Sequence, residues 1–324
     1  MKVSYVKTLW GLGELEGNDA AGYPRLCARL VKEGWHAVEC PVWRIADKAA
    51  FCAALTAAGL GYVAMINTCT PSPLGGGLAE ERPAQDLAAH LASFDAQLAE
   101  CLALPLRPLL VNAHSGCDLW PLDTARAYFR HALAAEARAG ILVAHETHRG
   151  RILYNPWTTR DLLREFPELK VTADLSHFVV VGERVYHEAD ADWATVMREV
   201  ARATVHIHAR VGYEQGPQAA DPRAPEYARA LQRHTAWWTQ IEDTQAAAGR
   251  QLLTYEPEHG HDGCEWAGAQ TPRPRGQRGT AAARLLSLSL SLSLSLSAAP
   301  SLPSLPLPPS SLPHSQTSSA CPTR

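Results

Sequence analysis

The sequence predicts an α/β protein of the (β/α)8 barrel type, on three observations. Eight short β-rich runs recur along the first 258 residues, longer stretches with apolar residues at three- and four-residue spacing lie between them, and polar residues gather where the later runs end. Alternation of this kind means a parallel sheet covered by helices, either doubly wound or closed into a barrel. Eight strands favour the closed form.

The strand candidates are KVSYVKTL (2–9), HAVEC (36–40), YVAMINT (62–68), RPLLVNA (107–113), ILVAHE (141–146), LKVTAD (169–174), TVHIHA (204–209) and QLLTYEPE (251–258). The helical stretches are 23–34, 46–59, 84–104, 124–140, 158–168, 192–203 and 225–249. Several close on Gly, as helix C-termini often do. No amphipathic eighth helix follows the eighth strand. Instead the chain enters a Leu-Ser dipeptide repeat and then a Pro/Ser-rich stretch. Identical repeats specify no register and the prolines cannot join a sheet. The expected division is therefore a barrel at 1–266, without a regular eighth helix, and a disordered low-complexity tail at 267–324. The Leu-Ser run is half hydroxylated and too short to span a bilayer, and expansion of a simple repeat explains it better than a dedicated interaction tail.

Among 324 residues, 46% are hydrophobic and 19% charged, with a net charge of −3. That composition describes a globular protein with ample core and carries no signature of a nucleic-acid or membrane-surface partner. Its eight cysteines (Cys27, Cys40, Cys52, Cys69, Cys101, Cys117, Cys264 and Cys321) form no C-x-x-C pair. This argues against a zinc ribbon or a disulfide scaffold and fits a reducing compartment. The N-terminus runs directly into a strand with no leader-like segment, so a cytoplasmic location is expected. Oligomeric state is left open.

In a barrel of this type, reactive groups sit where strands end, on the loops of the C-terminal face. Strand four runs into NAHSGCD with His114 and Asp118, and strand five into HETHRGR with Glu146, His148, Arg149 and Arg151. Strand six ends in DLSHF with Asp174 and His177, strand seven holds His206, His208 and Arg210, and strand eight ends in EPEHGHD with Glu256, Glu258, His259 and His261. Alternate residues of a strand face the same way. His206 and His208 therefore share a face, as do Glu256 and Glu258, and the member nearer the strand's C-terminal end is favoured as the ligand. Glu146, Asp174, His208 and Glu258 would bring three carboxylates and one imidazole to a point. Hard oxygen ligands with one nitrogen suit Mn2+ or Mg2+ best and also admit Zn2+ or Fe2+. Taken singly, each residue has a plainer reading, as a helix cap, a solvated loop charge or a core histidine. His148, His259 and His261 are expected in solvent.

The ordered set HETHRGR, TADLSHF, HIHARVGYEQGPQ and EPEHG, preceded by VNAHSGCD, resembles the sugar phosphate isomerase/epimerase family of the xylose isomerase-like TIM-barrel superfamily over roughly residues 1–262. The resemblance implies Glu146, Asp174, His208 and Glu258 as metal ligands, with Glu146 and Glu258 also the acid/base pair that moves a proton beside a metal-bound carbonyl. It implies substrate contacts from His177, and Arg210 and His114 are placed beside it as further pocket residues. The family's Arg six residues beyond the His ligand is Glu214 here, a departure that touches substrate binding. A small sugar or polyol is the implied substrate, and no Gly-rich phosphate cradle is evident after strands seven and eight. Three other readings compete: an inosose-type dehydratase, an endonuclease IV-like metal hydrolase, and a truncated barrel whose first and eighth strands stay exposed and inactive.

Overall fold

A computed structural model describes residues 1–9, 18–68, 86–187 and 189–258. The expected tail beyond residue 266 lies outside the described residues, as do His259 and His261 and any element that follows the eighth strand.

Eight parallel strands form a closed barrel in chain order: β1 (Lys2–Thr8), β2 (Ala37–Pro41), β3 (Gly61–Asn67), β4 (Leu110–His114), β5 (Val143–Glu146), β6 (Val171–Ala173), β7 (Thr204–His208) and β8 (Leu252–Glu256). Closure comes from β1 on β8, with Lys2 opposite Leu252 and Tyr5 opposite Tyr255. This pairing leaves neither strand as an open edge. On the outside, Tyr255 packs edge-on against both Tyr5 and Trp238.

The helices are α1 (Gly22–Lys32), α2 (Lys48–Ala58), α3 (Leu87–Leu102), α4 (Leu122–Ala139), α5 (Pro156–Glu165), α6 (Ser176–Gly182), α7 (Ala191–Ala203) and α8 (Ala228–Ala247). Their ends follow local chemistry. Asp47, Asn155 and Asp190 accept backbone N–H bonds at the starts of α2, α5 and α7, and Pro156 opens α5 where its missing N–H costs nothing. Gly59 and Gly140 end α2 and α4 at φ of 68° and 60°, a left-handed turn that disfavours any residue with a Cβ. Helix α6 was not legible as a helix, because its seven residues are too few to show a period. Between α7 and α8, Tyr186 stacks on Trp193 at 4.2 Å, and Trp193 meets Trp237 at 4.8 Å.

The barrel interior is layered. Val6, Ala37, Val63, Leu110, Ala144 and Val205 fill its lower part with apolar side chains. Above them the inward positions turn polar. One irregularity decides which residues face inward: Val171 pairs with Thr204, but Thr172 pairs with His206, so Val205 is an extra residue on β7. Paired residues of neighbouring strands point to the same face, so this bulge aims His206 and His208 to the side shared by Thr172 and Asp174. Five cysteines, Cys27, Cys40, Cys52, Cys101 and Cys117, are buried free thiols. No helix among the described residues is long and apolar enough to cross a membrane.

Candidate metal centre

The upper layer sits where β4 to β8 end, and all seven residues singled out by sequence are buried there. His114 Nε2 lies 2.6 Å from Glu146 Oε2, while Asn112 donates to the same oxygen at 2.8 Å. The two strand ends that carry this pair are tied together from behind. His145 gives its Nε2–H to Glu136 at 2.8 Å and accepts the Ser115 hydroxyl at Nδ1 at 2.6 Å. Because a carboxylate only accepts, this partner fixes the His145 tautomer.

On the next strand, Asp174 Oδ1 accepts both the amide and the hydroxyl of Ser176, at 3.0 and 2.5 Å. The other oxygen, Oδ2, lies 3.4 Å from His177 Nε2. His208 Nδ1 stands 3.2 Å from Glu258 Oε2 and 3.6 Å from Glu146 Oε1. Arg210 holds the other oxygen of Glu258 at 3.1 Å and donates to Gln218 at 3.2 Å. The loop carrying Arg210 presses on α6 at Gly212, where a Cβ would come within 2.9 Å of the Ser176 backbone. Backbone cannot step aside, so Gly212→Ala is expected to cost about 1–3 kcal/mol. A thermal melt of the variant would read that as a midpoint lower by about 2–4 °C per kcal/mol.

His148 is not the solvated loop residue the sequence suggested. Arg151 donates to the Thr68 and Gly116 carbonyls and draws the β5 loop inward. His148 is thereby packed 4.6 Å from the His114 ring and 3.9 Å from the His177 ring.

Beneath lies a second polar layer that the sequence reading mostly missed. Glu39, on β2, accepts from Asn112 at 3.0 Å and from His206 Nε2 at 2.9 Å, and lies 3.4 Å from His208 Nε2. His206 is therefore the deeper histidine, as expected, but its partner is Glu39. Glu256, paired in register with His208, is also buried here, and neither of its oxygens has a hydrogen-bond partner. The available signal for Glu39 was a lone carboxylate in the middle of an otherwise apolar strand.

Crowding sets the protonation pattern. Burial opposes the charge on Glu146, but His114 and His208 outweigh it and hold the carboxyl well below its ordinary range. Glu258 is likewise held down, against burial, by Arg210 and His208, and Glu39 is held at about 2, against burial, by His208 and His206. Burial pushes Asp174 up to about 8, helped by Glu258 and Glu146. Burial and Glu39 raise Glu256 well above a normal carboxyl. Burial works against protonated His208, yet Glu146 and Glu39 raise it well above an ordinary imidazole. Burial and neighbouring His148 keep His177 neutral.

No family model matches the chain, and no curated protein does. Solved structures do. An L-ribulose 3-epimerase superposes with a TM-score of 0.57 at 13% identity, over 93% of this chain and 99% of that one. Endonuclease IV from Thermus thermophilus gives 0.53 at 15% identity, over 89% and 99%. A Methylomonas sp. D-allulose 3-epimerase in complex with D-allulose gives 0.51 at 16% identity, over 78% and 83%. The chain has the closed (β/α)8 barrel fold of these structures. At these identities the likeness is one of fold.

Whether this barrel suits a metal is answered by its unpartnered atoms. Asp174 Oδ2, His208 Nδ1 and Glu258 Oε2 are all buried without an aligned hydrogen bond, although His208 Nδ1 lies 3.2 Å from Glu258 Oε2 and Asp174 Oδ2 lies 3.4 Å from His177 Nε2, and their residues offer ligand atoms within 4.8 Å of one another. Buried polar atoms are costly to leave unpaired. Two carboxylate oxygens and one imidazole nitrogen facing one another, with Glu146 beside them, are a donor set a divalent cation satisfies. His114, Glu146 and His148 form an adjoining group, as do Glu146, Asp174 and His177.

Proposed function

We propose that the chain is a divalent-metal-dependent isomerase or epimerase that moves a proton on the carbon next to the carbonyl of a small sugar or related polyol. The observation that carries this reading is the set of atoms on Asp174, His208 and Glu258 without an aligned hydrogen bond, with Glu146 3.6 Å from the same imidazole nitrogen. Glu146, Asp174, His208 and Glu258 would hold the ion, Mn2+ or Mg2+ by ligand type with Zn2+ or Fe2+ compatible, and it would polarise the substrate carbonyl.

The rest of the chemistry belongs to side chains. Glu146 and Glu258 are both held ionised, so each is ready to accept a proton. They lie 3.6 and 3.2 Å from His208 Nδ1, close enough together for one carboxylate to remove a proton and the other to return one. His114 and Asn112 fix the orientation of Glu146, and Arg210 fixes that of Glu258. His177 has both ring nitrogens unpartnered and is neutral, so it can donate to one substrate hydroxyl and accept from another.

The test is proton exchange. Incubated in D2O with Mn2+ and a panel that includes L-ribulose and D-allulose, the protein should erase the proton signal beside the carbonyl of at least one ketose. Chelation should stop the exchange and Mn2+ restore it. The inosose-type dehydratase shares the metal and the base and would instead release water from an inosose. A hydrolytic role, as in endonuclease IV, would show as nicking of abasic-site DNA. Nicking without any exchange at carbon would replace the isomerase reading.

A further inference from the structure

The upper group uses only one face of His208. Its other nitrogen, Nε2, points down into the layer formed by Glu39, His206 and Glu256. Those four residues offer ligand atoms that all lie within 4.8 Å of one another, and every one is buried. It is the largest such group among the described residues and the only one with two imidazoles and two carboxylates. Glu39 and His206 satisfy each other in part. Glu256 does not: it is 1% exposed, and both of its oxygens lack a hydrogen-bond partner. His206 Nδ1 is unpartnered as well.

We propose that the barrel holds two divalent ions rather than one, the second bound in the lower layer by Glu39, His206, Glu256 and His208 Nε2. His208 then joins the two sites through its two ring nitrogens as an imidazolate, its ring protons passing to solvent as the two ions bind.

The two layers differ in softness. Two nitrogens and two oxygens in a closed, fully buried set suit a structural Zn2+, whereas the carboxylate-rich upper set at the barrel mouth suits Mn2+ or Mg2+. The lower ion would hold His208 from beneath and give Glu256 a role distinct from that of Glu258.

This inference rests on the proposed upper centre only through the shared His208, and one experiment separates the two. The full chain is stripped with a chelator, reloaded with Zn2+, desalted and analysed for metal beside Glu39→Gln, Glu256→Gln and Asp174→Asn, each checked by circular dichroism. The expected result is two zinc ions per chain in the parent, falling to one in every variant. Reloading with Co2+ gives a second readout, since visible absorption from the nitrogen-rich lower site should disappear in Glu256→Gln and persist in Asp174→Asn. A single ion that survives Glu39→Gln and Glu256→Gln but leaves with Asp174→Asn would overturn the lower site and keep the proposed function. A single ion that leaves with Glu256→Gln and survives Asp174→Asn would overturn the two-ion centre and the upper ligand set together.

Discussion

Glu146→Gln is expected to reduce proton exchange at carbon by about 10²–10⁴-fold while leaving the barrel folded. The substitution keeps the side chain's shape, so the β5 end, tied by His145 to Ser115 and Glu136, stays in place. What changes is chemistry. The carboxylate that His114 and His208 hold ionised becomes an amide that cannot take a proton. Its new N–H2 group also confronts donors it cannot accept from, notably the Asn112 amide 2.8 Å from Oε2. Exchange in D2O measured beside metal content separates these effects. Lost exchange with retained metal assigns Glu146 to proton transfer, and loss of both assigns it to metal binding as well. Exchange at the parent rate would remove Glu146 from the mechanism.

Without metal, the protein is expected to lose stability as pH rises from about 6 to about 9, by an amount on the order of 3 kcal/mol. Asp174 is raised to about 8 by burial, Glu258 and Glu146, and Glu256 is raised well above its normal value by burial and Glu39. His208 is raised too, by Glu146 and Glu39 against burial. Each group binds its proton more tightly in the folded chain than in the unfolded one, so the folded state holds more protons in this window and stability falls as they leave. The His208 contribution is complete below its unfolded value near 6.5 and disappears as pH climbs through the folded one. Glu39, Glu146 and Glu258 act oppositely: their contributions are present above the ordinary carboxylate range and are lost as acid reaches their lowered values. The metal-free optimum should therefore fall at about pH 4, where the losses from Asp174 and Glu256 on the alkaline side meet those from Glu39, Glu146 and Glu258 on the acid side. Divalent metal reverses the alkaline trend, because it needs deprotonated ligands and binds better as protons leave. Thermal melts in chelator and in Mn2+ would show midpoints diverging by about 5–10 °C toward high pH. A chelated protein that grows more stable over that range would contradict the buried-charge picture.

Much of this protein is a local property of its sequence. Side chains alternate along a strand and recur every three or four residues along a helix, so eight strand candidates and seven helical stretches were readable without long-range information. One polar cluster per β/α unit marked the strand ends, which is why Glu146, Asp174, His208 and Glu258 could be named from sequence; Asp174, His208 and Glu258 lie in one group, and Glu146 stands 3.6 Å from His208. Other features depend on the third dimension. Glu39 precedes His206 by 167 residues, and only barrel closure sets them 2.9 Å apart. The extra residue at Val205 decides that His206 and His208 face the same interior as Asp174, and no pattern within β7 announces a bulge. His148 reads as a loop residue until Arg151 draws that loop over the mouth. Glu256 and Glu258 point the same way from one strand, and the stagger of a tilted barrel gives them different depths, one beside Glu39 and the other beside Arg210. The sequence by itself determined which residues face inward on most strands, because a period of two needs only neighbours. Which inward residues meet was decided by closure and register, because those are properties of the whole sheet.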